Sequence, residues 1–423
     1  MEKEDFWQAK EACDTRAMAD FLVEKKENLL AEDVPMEASP LASKDVLLFM
    51  GRKAILDGEP RRAIVYANAW VQIVQKRECV FWADYYKCQG DALVQLKDDV
   101  QADRFYALYC TMNRKNADVH GSYGNVLFRL GKIDEARFHY EAAMNILRDQ
   151  GENWWLAHNF LMTLGAFVKT GNSQTDAILQ RTAWTELLEE PPVREIPKLS
   201  LSETFDLPIF INCRDRLGCL QKLVNWLLEA GYRHIYLLDN ASTYLPLRDY
   251  YTHICRDPRV VLVQLPANLG HQAIWQSGVL HQLDIRTPYV YTDPDTVPIE
   301  SCPRGILARF YQLLRKYPFV DKVGAGLMID DLPLDQSGRA LEHSYCQVPV
   351  EEEVFFAPRD TTFALYAPVY HYTNFMSLRT GGRMLVRHMP WYLDRAHLPE
   401  DEQYYINHAN ESSSFANLVK QGN

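Results

Sequence analysis

The sequence predicts two domains of different class, an all-helical array followed by an α/β domain with a mostly parallel sheet. From residue 44 to about residue 190 the apolar residues recur at helical spacing and proline is nearly absent, as in packed helices. After residue 205, short apolar runs alternate with helical patterns, which is typical of a parallel sheet covered by helices. We therefore predict a helical domain at 1–190, a proline-rich linker at 191–204 and an α/β domain at 205–423.

Length, net charge, apolar runs and cysteine content limit the kinds of function that we expect of this protein. The 423 residues fit two domains, and a formal net charge of −11 argues against a nucleic-acid partner. The first residues are charged, and no run approaches the ~18 apolar residues of a membrane span, so neither a secretory signal nor a span is expected. The nine cysteines are scattered without a Cys-x-x-Cys pair. We expect reduced thiols in a cytoplasmic protein rather than a disulfide framework or a zinc ribbon.

One unit of the helical half stands out as a repeat. Gly124, Gly131, Ala136 and Tyr140 form the small-and-aromatic pattern of a tetratricopeptide helix pair. In that pattern small residues let two antiparallel helices approach, and Tyr140 would fill the gap between neighbouring pairs. The twelve-residue offset from glycine to alanine recurs at Gly51/Ala63, Gly90/Ala102 and Gly165/Ala177. An ordinary helical bundle is the alternative, and either arrangement has a concave face for a protein partner or a second copy.

Five short apolar runs of the second half are predicted as strands. They lie at 207–212, 234–238, 260–265, 289–292 and 322–327. An amphipathic helix at 217–230, closed by Gly231, separates the first two. In such sheets ligands bind beyond the carboxyl ends of the strands, so the residues after each run are where a site is expected.

Polar residues cluster directly after the first four runs. They are Asn212 to Asp215, Asp239 to Ser242, Asn268 to His271, and Asp293 to Asp295. The last group is the sharpest signal, because two carboxylates one residue apart at a strand tip can hold a divalent cation that also binds a diphosphate. With no basic cluster nearby in the sequence, the cation would supply the positive charge. An Asp-x-Asp motif alone also occurs in plain turns.

Four segments taken together resemble a GT-A-fold glycosyltransferase, most closely family 2 of that class. The segments are Ile209–Arg214, Leu237–Thr243, Asn268–Gly270 and Tyr291–Asp295, and the resemblance extends over about residues 205–410. It implies a Rossmann-like GT-A catalytic domain that moves a sugar from a nucleotide-sugar donor to a hydroxyl of a glycan or other acceptor. A donor linked to uridine diphosphate (UDP) is expected, and inversion at the anomeric carbon follows from the resemblance only.

The resemblance also implies roles for individual residues. Contacts to the donor base and ribose fall on Asn212, Arg214, Asp239 and Asn240, the last standing where many members carry an acidic residue. Contacts near the ribose and diphosphate fall on Asn268, Gly270 and His271. Mn²⁺ or Mg²⁺ would be held together with the diphosphate by Asp293 and Asp295.

An inverting transfer needs a general base that deprotonates the acceptor hydroxyl. Family members carry it in a Glu-Asp motif at the start of a helix, which matches Glu400 and Asp401 here. We predict Asp401 as the base, with Glu400 in reserve. Acidic residues after a proline also favour an ordinary helix N-terminus, and the pair Asp330 and Asp331 is a weaker rival.

The segment from 371 to 392 gathers cations, histidines and aromatics. Arg379 is predicted to bind the donor in a loop that closes over the diphosphate, and Trp391 and Tyr392 to bind the acceptor. His388 is the candidate third metal ligand, since a histidine often completes the metal site in GT-A enzymes, and His371 is a weaker one. A packed, hydrogen-bonded histidine is the alternative for both.

Two other functions stay open at this stage. One is a repeat-based interaction scaffold with an inactive transferase-like domain, against which the intact polar residues at four strand ends argue. The other is nucleotidyl transfer, which would share the metal and the sheet. The sequence lacks the glycine-rich, lysine-bearing phosphate loop that such an enzyme would need.

Overall fold

The computed structural model describes most of both halves of the chain. The described residues are 3–25, 39–73, 82–149, 196, 198–332, 339, 342–343, 345–357, 362–368, 377–394 and 396–409. The chain divides into two compact units, Met1–Glu195 and Ile196–Asn423. Each unit is described by itself below.

The described part of the first unit is all-helical, as predicted. Its helices are α1 (Lys3–Glu11), α2 (Thr15–Lys25), α3 (Ser39–Leu56), α4 (Pro60–Ile73), α5 (Trp82–Gln95), α6 (Asp99–Met112), α7 (Ala117–Arg129) and α8 (Ile133–Asp149). α3 packs on α4, α5 on α6 and α7 on α8, each pair joined by a three-residue turn that makes it a helical hairpin. The hairpins fall on the predicted repeats, while the fourth repeat, Gly165/Ala177, lies outside the described residues.

The three hairpin turns share one backbone conformation. Gly58, Lys97 and Gly131 occupy equivalent positions, with φ of 71°, 60° and 76°. Glycine reaches positive φ without steric cost, whereas lysine is strained there. The repeat therefore keeps its turn geometry even where its turn glycine has been replaced.

Glycines let the paired helices approach closely. A Cβ added at Gly124 would lie 2.6 Å from the Tyr140 ring, and one added at Gly90 would lie 2.5 Å from the Tyr106 ring. Both rings are fully buried. Each ring therefore covers a glycine of its own hairpin, and Tyr140 belongs to a buried cluster that also contains Tyr106 and Tyr109 of the preceding hairpin.

Replacing Gly124 with alanine should lower the free energy of unfolding by about 1–3 kcal/mol, since the buried ring has no free space into which to move. Gly121 is the matched control on the same helix, because an added Cβ there meets nothing within 4 Å. Gly121→Ala should raise stability by roughly 0.5–1 kcal/mol through helix propensity. Urea denaturation measures both. Equal shifts in the two variants would contradict this account of the helix contact.

The second unit is built on one mixed sheet. Its strands are β1 (Ile209–Cys213), β2 (Ile235–Asp239), β3 (Val260–Gln264), β4 (Tyr289–Thr292), β5 (Thr296–Pro298), β6 (Lys322–Leu327), β7 (Pro349–Glu351), β8 (Val354–Phe356), β9 (Ala364–Tyr366) and β10 (Ser377–His388). Their order is β3-β2-β1-β4-β9-β6-β10-β8-β7, with β5 paired to β10. All five predicted strands are present.

The prediction of a mostly parallel sheet needs correction beyond β4. Strands β3, β2, β1 and β4 pair in parallel, but β9 lies between β4 and β6 and runs antiparallel to both. β8 and β5 also pair antiparallel to β10. The added strands are mostly three residues long, too short for an apolar pattern to reveal them.

Helices accompany the sheet. They are α9 (Leu217–Ala230), α10 (Leu245–Ile254), α11 (Ala273–Gln276), α12 (Val279–Gln282), α13 (Ile306–Lys316) and α14 (Glu400–His408). The predicted helix at 217–230 is confirmed, and Gly231 ends it with a left-handed φ of 97°. Within the described ranges, no helix is long and apolar enough to cross a membrane, and the eight described cysteines are free thiols.

Candidate functional site

Two asparagines and a loop converge at the carboxyl ends of the parallel strands. Asn212, in β1, and Asn240, directly after β2, both donate side-chain hydrogen bonds to the carbonyl of Gly270, at 3.2 and 2.9 Å. Asn240 Oδ1 accepts from the Leu269 amide at 2.7 Å. Gly270 has a φ of 68°, which turns its carbonyl at low steric cost. Three predicted donor-binding residues thus lie in direct contact.

One acceptor in this cluster lacks a partner. Asn212 Oδ1 is buried and makes no hydrogen bond within the described part of the chain. A buried acceptor left unpaired costs free energy, so it is a place where a ligand donor fits. Nearby, Asn268 Oδ1 accepts from the Gly270 amide at 2.9 Å, and the His271 carbonyl accepts from the Tyr291 hydroxyl at 2.9 Å. The loop is therefore anchored on both sides of Gly270.

Two predicted base-binding residues also build the turn after β2. Asp239 Oδ1 accepts from the Ser242 amide at 3.1 Å and from the Tyr251 hydroxyl at 3.3 Å. Arg214 Nη1 donates to the carbonyls of Asn240 and Ala241 at 2.8 and 2.5 Å. These bonds hold in place the chain that follows β2, so the carboxylate and guanidinium shape the site as well as lying in it.

A buried charge cluster lies where the Asp-x-Asp motif ends. Asp295 is only 5% exposed, and its Oδ2 accepts a hydrogen bond from Arg216 Nη1 and lies 3.6 Å from His388 Nε2. Pairing of β5 with β10 sets His388 opposite Thr296, and the Met389 amide donates to the Asp295 carbonyl at 2.8 Å. The sheet therefore brings together two predicted metal ligands that are 93 positions apart in the chain.

The charge state of Asp295 follows from these neighbours. Burial alone would raise its pKa, but Arg216 and then His388 hold the pKa well below the usual range of an aspartate. Asp295 is therefore ionised at neutral pH. His388 Nδ1 is buried without a hydrogen-bond partner in the described residues, so the ring is fixed by packing on Trp391, whose centroid lies 4.9 Å away.

Arg216 and Glu402 belong to this site, and the sequence reasoning missed both. Arg216 Nη2 lies 3.1 Å from Glu402 Oε2, and its guanidinium lies 4.1 Å from the centroid of the Tyr405 ring. Glu402 is 1% exposed, and burial raises the pKa of its carboxyl while Arg216 opposes the rise. Its four-residue spacing from Ile406 places both on one helix face, which is the signal that would have predicted its burial.

Asp401, the predicted base, lies at the N-terminus of α9. Its Oδ2 accepts from the amides of Leu217 and Gly218 at 2.9 and 2.7 Å. Free amides at a helix N-terminus favour a negative charge. Because Arg216 is adjacent to Leu217 and contacts Asp295, the carboxylate is brought to the edge of the charge cluster. Glu400, the reserve candidate, is exposed.

The remaining predicted residues lie in two regions: Trp391 and Tyr392 follow His388, and Arg379 lies beside Glu342. Trp391 contacts His388, and the Tyr392 hydroxyl donates to Asp331 Oδ1 at 2.7 Å. Arg379 lies in strand β10 and not in the predicted loop, is 5% exposed, and pairs with Glu342 at 2.9 Å. His371 lies outside the described residues.

The predicted metal ligands are only partly assembled. Asp295 and His388 are close enough to share one cation, but in the described part of the chain Asp293 does not join them in a cluster with three ligand atoms within 4.8 Å of one another. Arg216 Nη1 donates to Asp295 Oδ2, the oxygen that lies 3.6 Å from His388 Nε2. An ion shared by Asp295 and His388 through this oxygen would have to displace Arg216.

No family model matches the chain, and none of the curated proteins matches it. Among solved structures, part of the chain is similar to a mutant O-GlcNAc transferase of Thermobaculum terrenum, at 15% identity and a TM-score of 0.27. The match covers 59% of this chain and 45% of that one, so the chain spans less than half the length of that neighbour.

Proposed function

We propose that the second unit is a GT-A-type glycosyltransferase resembling family 2, which moves a sugar from a nucleotide-sugar donor to a hydroxyl of a glycan or other acceptor, with inversion. The supporting observation is that Asn212, Asn240 and Gly270 meet at the carboxyl ends of adjacent strands, while Asp295 follows the neighbouring strand β4. Ligands of open α/β sheets bind at that edge.

The donor nucleotide is proposed to lie over the Gly270 loop. Asn212 Oδ1 offers an acceptor without a partner in the described residues, which suits an N–H or hydroxyl group of a nucleoside. Asn240 is 2% exposed and uses both ends of its amide on the loop, so it positions the loop rather than contacting the donor. UDP is the nucleotide that the family resemblance implies.

Mn²⁺ or Mg²⁺ is proposed to bind Asp295 and His388, with Asp293 as the third ligand. Such an ion would neutralise charge on the departing diphosphate. Arg216 keeps Asp295 ionised and ties it to Glu402. When a ligand draws Asp295 away, Arg216 retains Glu402 as a partner, so its buried charge does not become unpaired.

The acceptor hydroxyl is proposed to lose its proton to Asp401. Asp401, in α14, lies at the N-terminus of α9. Arg216 pairs with Glu402 of α14 and so links α14 to the strand ends. Trp391 and Tyr392 are proposed to form the acceptor side. Arg379 is left out of the proposed site because Glu342 engages its charge.

The donor site is tested by thermal unfolding of the full chain with nucleoside diphosphates and nucleotide sugars, each with and without Mn²⁺. Ligands that bind only the folded state raise Tm by mass action, and we expect UDP or a UDP-sugar to do so, more strongly with Mn²⁺. Asn212→Leu keeps the branched side-chain shape but removes the Oδ1 acceptor together with the amide that donates to the Gly270 carbonyl, and it should abolish the shift. No shift with any nucleotide would favour the interaction scaffold with an inactive transferase-like domain.

A further inference from the structure

The first unit carries a histidine and cysteine cluster that the proposed transferase does not use. Cys110 lies in the last turn of α6, His120 in the first turn of α7 and His139 within α8. One ligand atom from each residue lies within 4.8 Å of the other two. Three consecutive helices of two neighbouring hairpins thus direct metal-binding atoms to one point.

We propose that Cys110, His120 and His139 form a zinc site in the helical-repeat unit. Cysteine sulfur and histidine nitrogen are the ligands that zinc prefers. His120 Nδ1 lies 2.8 Å from His139 Nδ1, whereas ligand nitrogens of a tetrahedral zinc ion lie about 3.3 Å apart, given Zn–N bonds of about 2.0–2.1 Å. The two nitrogens would therefore have to move apart by about half an ångström to hold the ion.

The protonation states suit metal binding by the histidines. Burial lowers the pKa of His120, partly opposed by the Arg114 carbonyl, and burial followed by His120 lowers the pKa of His139 to about 4. Both rings are therefore neutral at pH 7, with lone pairs available as metal ligands require. Without metal, the two Nδ1 atoms share a single hydrogen bond.

Binding of zinc by Cys110 releases one proton. Burial raises the pKa of the Cys110 thiol to about 11, so the free protein carries the thiol form at pH 7. The ion binds the thiolate, which forms one S–Zn bond and breaks one S–H bond, and the proton passes to solvent.

The surroundings hold the ligands in position. Tyr123 packs on His139 at 4.3 Å between ring centroids, and its hydroxyl donates to Asp103 Oδ1 at 2.7 Å. The turn between α6 and α7 is braced where Asn116 donates to the Tyr109 hydroxyl at 2.9 Å and caps the Val119 amide. Cys110 and His120 flank this turn, so their separation is set by rigid backbone.

The three ligands differ in exposure, and His120 is only 4% exposed. Cys110 and His139 are partly exposed, which provides an entry path and room for water as the fourth ligand.

The test is titration of the full, chelator-treated chain with Zn²⁺ against a chromophoric chelator, and with Co²⁺ as a spectroscopic substitute. We expect a thiolate-to-cobalt charge-transfer band that saturates at one thiolate-bound cobalt ion per chain, and a zinc site that depends on Cys110. Cys110→Ser should remove the band, and Cys110→Ser and His139→Gln should each weaken zinc at least about tenfold. Cys346→Ser, which changes an exposed cysteine elsewhere, should match the unaltered protein.

Two further measurements separate this site from the donor site and from misfolding. Asp295→Asn should leave the zinc affinity and the cobalt band unchanged, because that residue belongs to the other unit. Unfolding curves without metal should show His139→Gln to be folded, and zinc should raise Tm for the unaltered protein but not for this variant. A cobalt band that persists in Cys110→Ser, or the absence of zinc binding that depends on Cys110, would overturn the proposal.

Discussion

Asp295→Asn should reduce sugar transfer by at least about a hundredfold, the usual cost of removing one group that stabilises developing transition-state charge. The substitution keeps the size of a 5% exposed side chain and removes the charge that would hold a cation against the diphosphate. Arg216 keeps Glu402 as its partner, so we expect the variant to fold. Initial transfer rates at saturating donor and Mn²⁺ measure the effect.

A matched aspartate separates this loss from a general effect of charge removal. Asp284 is exposed and pairs with Arg286 at 2.6 Å, and Asp284→Asn should transfer at the rate of the unaltered protein. The Mn²⁺ concentration for half-maximal rate should rise for Asp295→Asn only. Full transfer by Asp295→Asn at low Mn²⁺ would remove Asp295 from the proposed site.

Asp401→Asn should also reduce transfer about a hundredfold or more, as expected for loss of a general base. Asparagine retains an oxygen that can accept from the Leu217 and Gly218 amides, so the contact with α9 is preserved while the basic group is lost. Donor binding, followed as the thermal shift with UDP and Mn²⁺, should stay close to that of the unaltered protein. A loss of rate without a loss of donor binding identifies a chemical role.

Neighbouring carboxylates serve as controls for Asp401. Glu400→Gln changes an exposed side chain and should leave the rate nearly unchanged. Glu402→Gln removes the second partner of Arg216 and should lower Tm. If Asp401→Asn transferred at a normal rate, Asp401 would not be the base.

The sequence predicted local features with strong patterns. The five predicted strands, the helix that ends at Gly231 and three helical hairpins appear where the pattern places them, whereas the twelve-residue β10 was not predicted. Each depends on side-chain periodicity or on one backbone conformation, both of which act over a few residues. The three-residue strands β7 to β9 lacked such a pattern, so the mixed pairing of the sheet was not foreseen.

The spacing of residues in the sequence does not identify contacts between residues that are distant in the chain. Nothing in the sequence couples Arg216 to Asp295 and Glu402, or Arg379 to Glu342, because each pair joins segments whose separation is set by the order of strands in the sheet. The same holds for Cys110, His120 and His139, whose irregular spacing matches no metal motif until three helices are packed.

The sequence by itself determined the two classes of domain, the position of most strands and the polar groups at their ends. These follow from local burial patterns, which each short segment carries in its own side chains. Only the tertiary structure decided that Arg216 occupies the carboxylate of Asp295, that Asp401 meets the start of α9, and that two histidines meet a cysteine. Those contacts depend on how strands and helices pack, and packing is a property of the whole unit rather than of any segment.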